Sequence, residues 1–181
     1  MEFGELRETV VADVARCVGA VDTAAVDALV GALAAKRKVF LIGTGRSGKM
    51  LEAMAIRLGH LGVAAYIVGT PDCPVIRDGD LALVGSGSGN TPVPLDLAVA
   101  ARGAGARLAA ITADRHSPVA ELAHTLIHIP APVRPRDGTP HTLRSLFEEC
   151  LLIVCDCVCR MLQDRLGLST DEMQARHAPD R

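Results

Sequence analysis

Apolar residues in this chain occur in short runs separated by longer amphipathic segments. Five runs consist almost entirely of aliphatic side chains and have the length of buried strands. They lie at 39–42, 64–68, 81–84, 108–111 and 125–129. Continuous apolar character, without alternation, is typical of strands that are covered on both faces, as in a parallel sheet.

Between and around these runs, apolar residues recur at the three- and four-residue spacing of amphipathic helices. Two helices are predicted before the first strand, and most of the connections between strands are helical as well. The predicted helices span 5–19, 22–36, 47–61, 92–103 and 142–166; a further one starts at Ser117-Pro118, and a capping box at 169–172 opens a short final helix.

This alternation of strands and helices predicts the fold class. Right-handed crossovers between parallel strands place helices on both faces of the sheet. We expect a flavodoxin-like three-layer α/β sandwich with a five-stranded parallel sheet in the order 2-1-3-4-5. The 181 residues show no internal repeat, low-complexity tract or linker, so a single domain over 1–181 is predicted.

Glycine- and hydroxyl-rich loops follow the first and third predicted strands. Residues 43–48 read GTGRSG and residues 86–91 read SGSGNT. In this strand order the two strands are neighbours, so both loops reach one crevice at their carboxyl ends. Each loop leads into a helix N-terminus, where free amides attract an anion. The sequence therefore predicts a phosphate site with hydroxyls from Ser86, Ser88 and Thr91.

Two alternatives compete with this interpretation of the loops. The first loop also fits the GxGxxG fingerprint of dinucleotide-binding proteins, which needs an acidic residue at the end of the second strand. Here that strand ends in Gly69-Thr70-Pro71 and Asp72 comes too late, so a nicotinamide cofactor is disfavoured. The other alternative is that both loops are ordinary glycine turns without a ligand.

Composition narrows the classes of function. A net charge of −2, one Tyr, three Phe and no Trp argue against a protein that binds nucleic acid. No apolar stretch approaches the length of a membrane span, and the polar first ten residues argue against a secretory signal, so a cytoplasmic protein is predicted. Six cysteines without a CxxC motif, three of them in the apolar run 155–159, favour buried thiols over metal ligands.

Four features together resemble the SIS (sugar isomerase) domain family. They are two helices before VFLIGTGRSG, the stretch LALVGSGSGNT, the helix start SLFEEC and the tail MQARHA. The resemblance covers essentially the whole chain, and SLFE and RHA are more specific to the 6-phospho-3-hexuloisomerase group. It implies an isomerase of a phosphorylated ketose, 3-hexulose 6-phosphate to fructose 6-phosphate, that needs no metal or nucleotide cofactor. It also implies a homodimer or homotetramer with sites shared between subunits.

The resemblance also assigns roles to individual residues. Glu148 would be the catalytic base, Arg46 would lie near the sugar, and His177 would reach a site, expected to be that of an adjacent subunit. The substrate and its phosphate would be held by Gly45, Ser47, Ser86, Gly87, Ser88 and Thr91.

Moving a carbonyl by one carbon requires a base that removes a proton and returns it to the neighbouring carbon. Glu148 is predicted near the start of a helix with Leu143, Leu146 and Phe147, and such surroundings are expected to raise the pKa of its carboxyl group. Glu149 would point about 100° away from it on the helix. The alternative is that both acids are surface charges.

Two departures from the family pattern leave the substrate open. Asn90 stands where the family usually has Glu, and Arg144 where it usually has Gly. Either could signal a different phosphorylated ketose, and a non-catalytic sugar-phosphate sensor is a further alternative. His141, expected at the start of the long helix, could border the site, and Asp72 and Arg77 could rim the pocket.

Overall fold

The structure is a computed structural model that describes residues 2–35, 38–133, 139–143 and 145–177. Within these residues the chain forms seven helices and five strands. In chain order they are α1 (Phe3–Gly19), α2 (Thr23–Ala35), β1 (Val39–Ile42), α3 (Gly45–His60), β2 (Ala65–Ile67), β3 (Leu81–Gly85), α4 (Pro92–Gly103), β4 (Arg107–Thr112), α5 (Pro118–Leu122), β5 (Thr125–His128), α6 (Ser145–Leu166) and α7 (Thr170–Ala175).

All five strands are parallel and form one sheet in the order β2-β1-β3-β4-β5, which confirms the predicted topology. In the register of the central pair, Ile42 at the end of β1 lies opposite Val84 in β3. Both strands therefore end at the same level of the sheet, and the loops that follow them start side by side.

Side chains of each strand alternate between the two faces of the sheet. Val39 and Leu41 of β1 belong to a cluster formed with α2, α3 and α6. Ile42 belongs to a second cluster, formed with α4 and α5 on the other face. Every residue of β1 and β3 is buried, as their continuous apolar runs predicted. The three-layer sandwich is confirmed.

The start of α6 differs from the prediction. The helix begins at Ser145 and not at 142, because Leu143 adopts a left-handed backbone conformation with φ 56°, which an α-helix does not accept. Leu143 is 76 % exposed, so it is not part of the apolar face of α6, and the prediction that it surrounds Glu148 is wrong. His141 precedes the helix and does not begin it. Arg144 lies outside the described residues.

Within the described part of the chain, no single helix is long and apolar enough to cross a bilayer. Only α1 and α2 taken together pass that test, and they are bent by 75° relative to each other. The most apolar positions of α2, Leu29, Val30 and Leu33, are buried in the cluster under the sheet.

The cysteines of the apolar run 155–159 divide as their helical spacing predicts. Cys155 and Cys159 are buried, whereas Cys157 is exposed. Burial raises the pKa of the Cys155 thiol strongly and that of Cys159 to about 12, so both are protonated and unreactive near neutral pH. Among the described residues, no three His, Cys, Asp or Glu side chains group closely enough to hold a metal ion.

Candidate active site

The loops after β1 and β3 meet at the carboxyl edge of the sheet, as predicted. Together with the first turn of α6 they line a cavity of about 150 Å³. Seven of the nine residues predicted for the site line this cavity: Gly45, Arg46, Ser47, Ser86, Gly87, Thr91 and Glu148. The structure thus gathers on one small cavity residues that lie about a hundred positions apart in the sequence.

Close packing at a glycine holds the start of α6 against the second loop. A Cβ atom added at Gly87 would lie 3.0 Å from Cδ1 of Phe147, the buried residue directly before Glu148. The bare backbone of Gly87 therefore serves as the surface on which the start of α6 rests. This contact brings Glu148 to the cavity.

Two helices start at the cavity with threonines as their N-cap residues, Thr44 for α3 and Thr91 for α4. Both have extended backbone conformations, and neither side chain accepts a hydrogen bond from its own helix. The first-turn amides of a helix have no partner inside the helix, and the dipole favours negative charge at that end. Two such ends at one cavity are suited to a phosphate group.

The two serines of the second loop, Ser86 and Ser88, differ in their position relative to the cavity. Ser86 is buried, and its backbone is fixed because its amide donates to the Ile111 carbonyl oxygen at 3.1 Å. Ser88 does not line the cavity; its Oγ lies 3.3 Å from Oγ1 of Thr91 and 3.4 Å from the Asn90 amide nitrogen. In this structure Ser88 supports the hydroxyl of Thr91, and its role as a direct phosphate ligand stays a prediction.

Arg46 and Glu148 form a hydrogen-bonded ion pair between the first loop and α6. The Glu148 side chain is only 14 % exposed, whereas that of Arg46 is 64 % exposed. The hydrogen bond to Glu148 raises the pKa of the Arg46 guanidinium group. The sequence placed Arg46 near the sugar and suggested apolar surroundings for Glu148, but it did not predict the pairing of these two residues, which lie 102 positions apart.

Glu149, by contrast, does not line the cavity, which agrees with the prediction that neighbouring acids on the helix point apart. Its Oε2 atom lies 3.3 Å from Nδ1 of His141. His141, buried in the segment before α6, also lies 3.1 Å from a carboxylate oxygen of Asp13 on α1. Sequence reasoning did not single out Asp13, since no local signal links it to a residue 128 positions later.

His177 lies elsewhere in this chain. It follows the end of α7 and its ring centroid is 4.8 Å from that of His60, at a second cavity of about 360 Å³. That cavity also contains Asp156 and Arg160 of α6. These two residues lie ~12–18 Å further along the helix than Glu148, at ~1.5 Å per residue. Within one chain, the structure does not bring His177 and Glu148 together.

The loop between β2 and β3 does not reach the cavity. Asp72 and Arg77 are not among its lining residues, so the suggestion that they rim the pocket gains no support. The amide of Arg77 instead donates to the buried Asp80 carboxylate at 2.9 Å. A hydrogen bond from Thr70 lowers the pKa of the Asp72 carboxyl group.

Comparisons with known proteins agree with this geometry. The profile of the SIS domain family matches residues 32–142, which include both loops. A 3-hexulose-6-phosphate isomerase of Mycobacterium gastri is 38% identical over 170 residues, which is 92% of this chain and 85% of that protein. The Bacillus subtilis protein of the same name is 35% identical over 156 residues, 84% of each chain.

A solved structure from Methanococcus jannaschii shows the same fold. It superimposes with a TM-score of 0.83 at 29% identity and covers 96% of this chain and 98% of that one. A molecular function of 3-hexulose-6-phosphate isomerase was inferred from that structure. The relatives extend the similarity beyond residue 142, into the part of the chain that contains α6 and Glu148.

Proposed function

Because the chain belongs to the SIS domain family, we propose that it is an isomerase that interconverts 3-hexulose 6-phosphate and fructose 6-phosphate. The observation that carries this proposal is the presence of a carboxylate, Glu148, in the same cavity as two helix N-termini and two hydroxyl-rich loops. Relatives that cover most of the chain are named for this reaction. A phosphate anchor and a base are the two parts that the reaction needs.

The substrate phosphate is held where α3 and α4 begin. First-turn amides and the hydroxyls of Ser47, Ser86 and Thr91 donate hydrogen bonds to the phosphate oxygens. Because the phosphate is charged, these hydrogen bonds are stronger than hydrogen bonds to neutral acceptors. Because the anchor is formed by backbone and short side chains on rigid elements, it fixes the position of the sugar carbons relative to Glu148.

Glu148 transfers one proton between adjacent carbons. In 3-hexulose 6-phosphate the carbonyl is at carbon 3, and the carboxylate removes the proton from carbon 2 to give an enediol with oxygens on carbons 2 and 3. The hydroxyl proton on the carbon-2 oxygen moves to the carbon-3 oxygen, the same carboxyl group returns its proton to carbon 3, and the carbonyl forms at carbon 2. This cycle needs no net oxidant and no group transfer, in agreement with the prediction that no cofactor takes part.

Arg46 changes partner during the cycle. Before substrate binds, its guanidinium group neutralises the carboxylate of Glu148. When the sugar enters, the developing negative charge on the oxygen of the enediol offers a second anion next to the arginine. A cation placed where charge develops lowers the energy of the transition state.

Replacing Ser88 with alanine is expected to raise KM by about 2- to 10-fold, the effect of losing one hydrogen bond, with a smaller change in kcat. The physical reason is that Ser88 Oγ supports Thr91 Oγ1 at the anchor. Steady-state kinetics measures both constants, with Thr70→Ala in the β2–β3 loop as a hydroxyl control. A KM equal to that of the wild type would argue against a phosphate at this loop.

The proposal includes a homodimer or homotetramer in which His177 completes the site of a neighbouring subunit. The separation of His177 from Glu148 within one chain supports this arrangement. Its position is exposed and lies at the second cavity, outside the crevice, on a surface that an adjacent copy can contact. There it would polarise the carbonyl or move protons among hydroxyl groups.

Mixing two inactive variants tests the shared site. Glu148→Gln and His177→Ala are each expected to lose most of the activity. Co-expression in equal amounts gives a random mixture of oligomers that should regain about a quarter of the activity, since about a quarter of two-subunit sites then receive both intact residues. Light scattering gives the number of subunits. Co-expression without any recovery, in an oligomer of confirmed mixed composition, would contradict the shared site.

The identity of the sugar substrate can be tested by analysis of the products. Product analysis by NMR, with 3-hexulose 6-phosphate and other ketose phosphates in parallel, tests the choice of sugar that Asn90 and Arg144 leave open.

A single domain over 1–181 is proposed because α1, α2, α3 and α6 contribute to one hydrophobic cluster on the sheet. A cytoplasmic location stays a prediction.

A further inference from the structure

A cluster of ionisable side chains surrounds the buried His141 and includes Glu149, the residue next to the proposed base. His141 lies in the segment before α6 and is only 5 % exposed, although its side chain is polar. Its Nε2 atom lies 3.1 Å from Oδ2 of Asp13, and its Nδ1 atom lies 3.3 Å from Oε2 of Glu149. Arg16 extends the cluster, since its guanidinium group lies 2.8 Å from Oδ1 of Asp13. Three segments of the chain therefore meet at one imidazole ring.

Neighbouring polar groups in this cluster stabilise the ionised form of Asp13 and the position of His141. The hydrogen bond from Arg16 lowers the pKa of the Asp13 carboxyl group, partial burial opposes this, and the hydrogen bond from His141 adds to the lowering, so Asp13 is ionised near neutral pH. Among the described residues, His141 Nδ1 and Glu149 Oε2 are buried without a hydrogen-bond partner, and they face each other. The two atoms are 3.3 Å apart without hydrogen-bond geometry, and each is costly to bury away from any polar group, so their proximity favours this arrangement of the helix start.

The cluster acts on the same helical turn that contains Glu148. Glu148 and Glu149 point about 100° apart, so the turn is held from two sides: by Arg46 at the cavity and by His141 toward α1. Leu143 adds no packing near this turn, because it is exposed and has a left-handed backbone. The buried Leu146 and Phe147 anchor the turn to the hydrophobic cluster, and the polar contacts of Glu148 and Glu149 act in addition to that packing. Of the described residues 139–143, His141 is the one with a buried side chain linked to both α1 and α6.

We propose that His141 is a positioning residue, which fixes the orientation of Glu148 by linking Glu149 and the segment before α6 to Asp13 on α1. This inference rests on the proposed function, since it takes Glu148 as the base. His141 does not touch the substrate; it determines how accurately the carboxylate is aimed at the sugar carbons. A base displaced by a fraction of an ångström loses much of its rate advantage.

The test is a comparison of kcat and KM for His141→Leu and His141→Gln. Removal of both contacts in His141→Leu should lower kcat by about 10- to 100-fold, since a misplacement of ~1 Å can cost about 10²-fold in rate, with KM within about 3-fold because the proposed phosphate anchor is untouched. Glutamine still reaches one carboxylate, so His141→Gln should recover at least about a third of the wild-type kcat if orientation is what the ring supplies.

Asp80→Ala is the matched control. Asp80 is as buried as His141, and its carboxylate accepts a hydrogen bond from the amide of Arg77. It precedes β3 and therefore lies at the opposite end of that strand from the cavity. Its loss should lower the melting temperature without changing kcat. If His141→Leu does not fold, Asp13→Asn removes one charge of the cluster at a partly exposed side chain and should lower kcat in the same direction.

The outcomes separate this inference from the proposed function. A wild-type protein without isomerase activity would overturn the proposed function itself. An active wild type with kcat of His141→Leu or Asp13→Asn within about 2-fold of normal, a factor too small for lost orientation, would overturn the positioning role alone. So would an equal loss of kcat in Asp80→Ala, because general destabilisation would then explain the effect.

Discussion

Replacing Glu148 with glutamine should lower kcat by about 10²–10⁴-fold, the usual contribution of a general base, while the protein still binds the phosphosugar. Glutamine has the same size and still contacts Arg46, but its amide cannot accept the proton from the sugar carbon. Binding is expected to persist because the phosphate anchor is formed by α3, α4 and their loops. Steady-state kinetics and calorimetric titration with fructose 6-phosphate measure the two properties separately.

Glu52→Gln serves as the control for this experiment. Glu52 is a partly exposed acid on α3 that pairs with Lys49 one turn away, and the cavity does not include it. Its activity should equal that of the wild type. A Glu148→Gln protein with nearly normal kcat would remove Glu148 from the role of base, whereas one that also fails to bind would point to a structural role for the carboxylate.

A second large effect is expected from Gly89→Ala in the loop after β3. Gly89 has φ 57°, and a Cβ atom there would lie 2.0 Å from Oγ and 2.5 Å from Cβ of Ser117. Ser117 is buried and caps α5 by accepting a hydrogen bond from the Ala120 amide, so it cannot move without loss. We expect the free energy of unfolding to fall by about 2–4 kcal/mol, from overpacking and backbone strain together.

The same change should raise KM, because the loop that carries Ser86, Ser88 and Thr91 must shift to relieve the clash. Denaturant unfolding and steady-state kinetics measure the two effects. The control is Gly103→Ala at the end of α4, where the added Cβ meets nothing within 4 Å, so stability should be unchanged or slightly higher. Equal stability of the two variants would show that the loop tolerates a side chain and is less constrained than its geometry implies.

Most of the fold was predictable from the sequence because its signals are local. The buried strands have continuous apolar runs, and the parallel order follows from helices between most of them. The loops after β1 and β3 were predicted to meet, and they do. The start of α6 was wrong because nothing in the residue type announces the left-handed backbone of Leu143, a conformation that leucine seldom adopts.

The site was predictable only in part because its decisive contacts join distant residues. The ion pair between Arg46 and Glu148 spans 102 positions, and the contact between Asp13 and His141 spans 128. Periodicity and motif spacing carry no information about such pairs. His177 illustrates a different limit, because the contact that we propose for it with a neighbouring subunit cannot be seen in the geometry of one chain.

The alternative functions predict different behaviour of the same residues. A non-catalytic sugar-phosphate sensor needs the two loops but not the carboxylate, so Glu148→Gln would leave its properties unchanged. A nicotinamide-dependent enzyme needs an acid near the ribose, and Asp72, the candidate acid after β2, does not line the cavity. The described geometry therefore favours the isomerase.

Proton exchange with solvent tests the central claim most directly. Fructose 6-phosphate incubated with the protein in D₂O is followed by proton NMR, with Glu148→Gln as the parallel sample. An enediol between carbons 2 and 3 predicts loss of the carbon-3 proton signal together with formation of the 3-hexulose, and neither change with the variant. Unchanged spectra, exchange at carbon 1 only, or equal exchange with Glu148→Gln would contradict it.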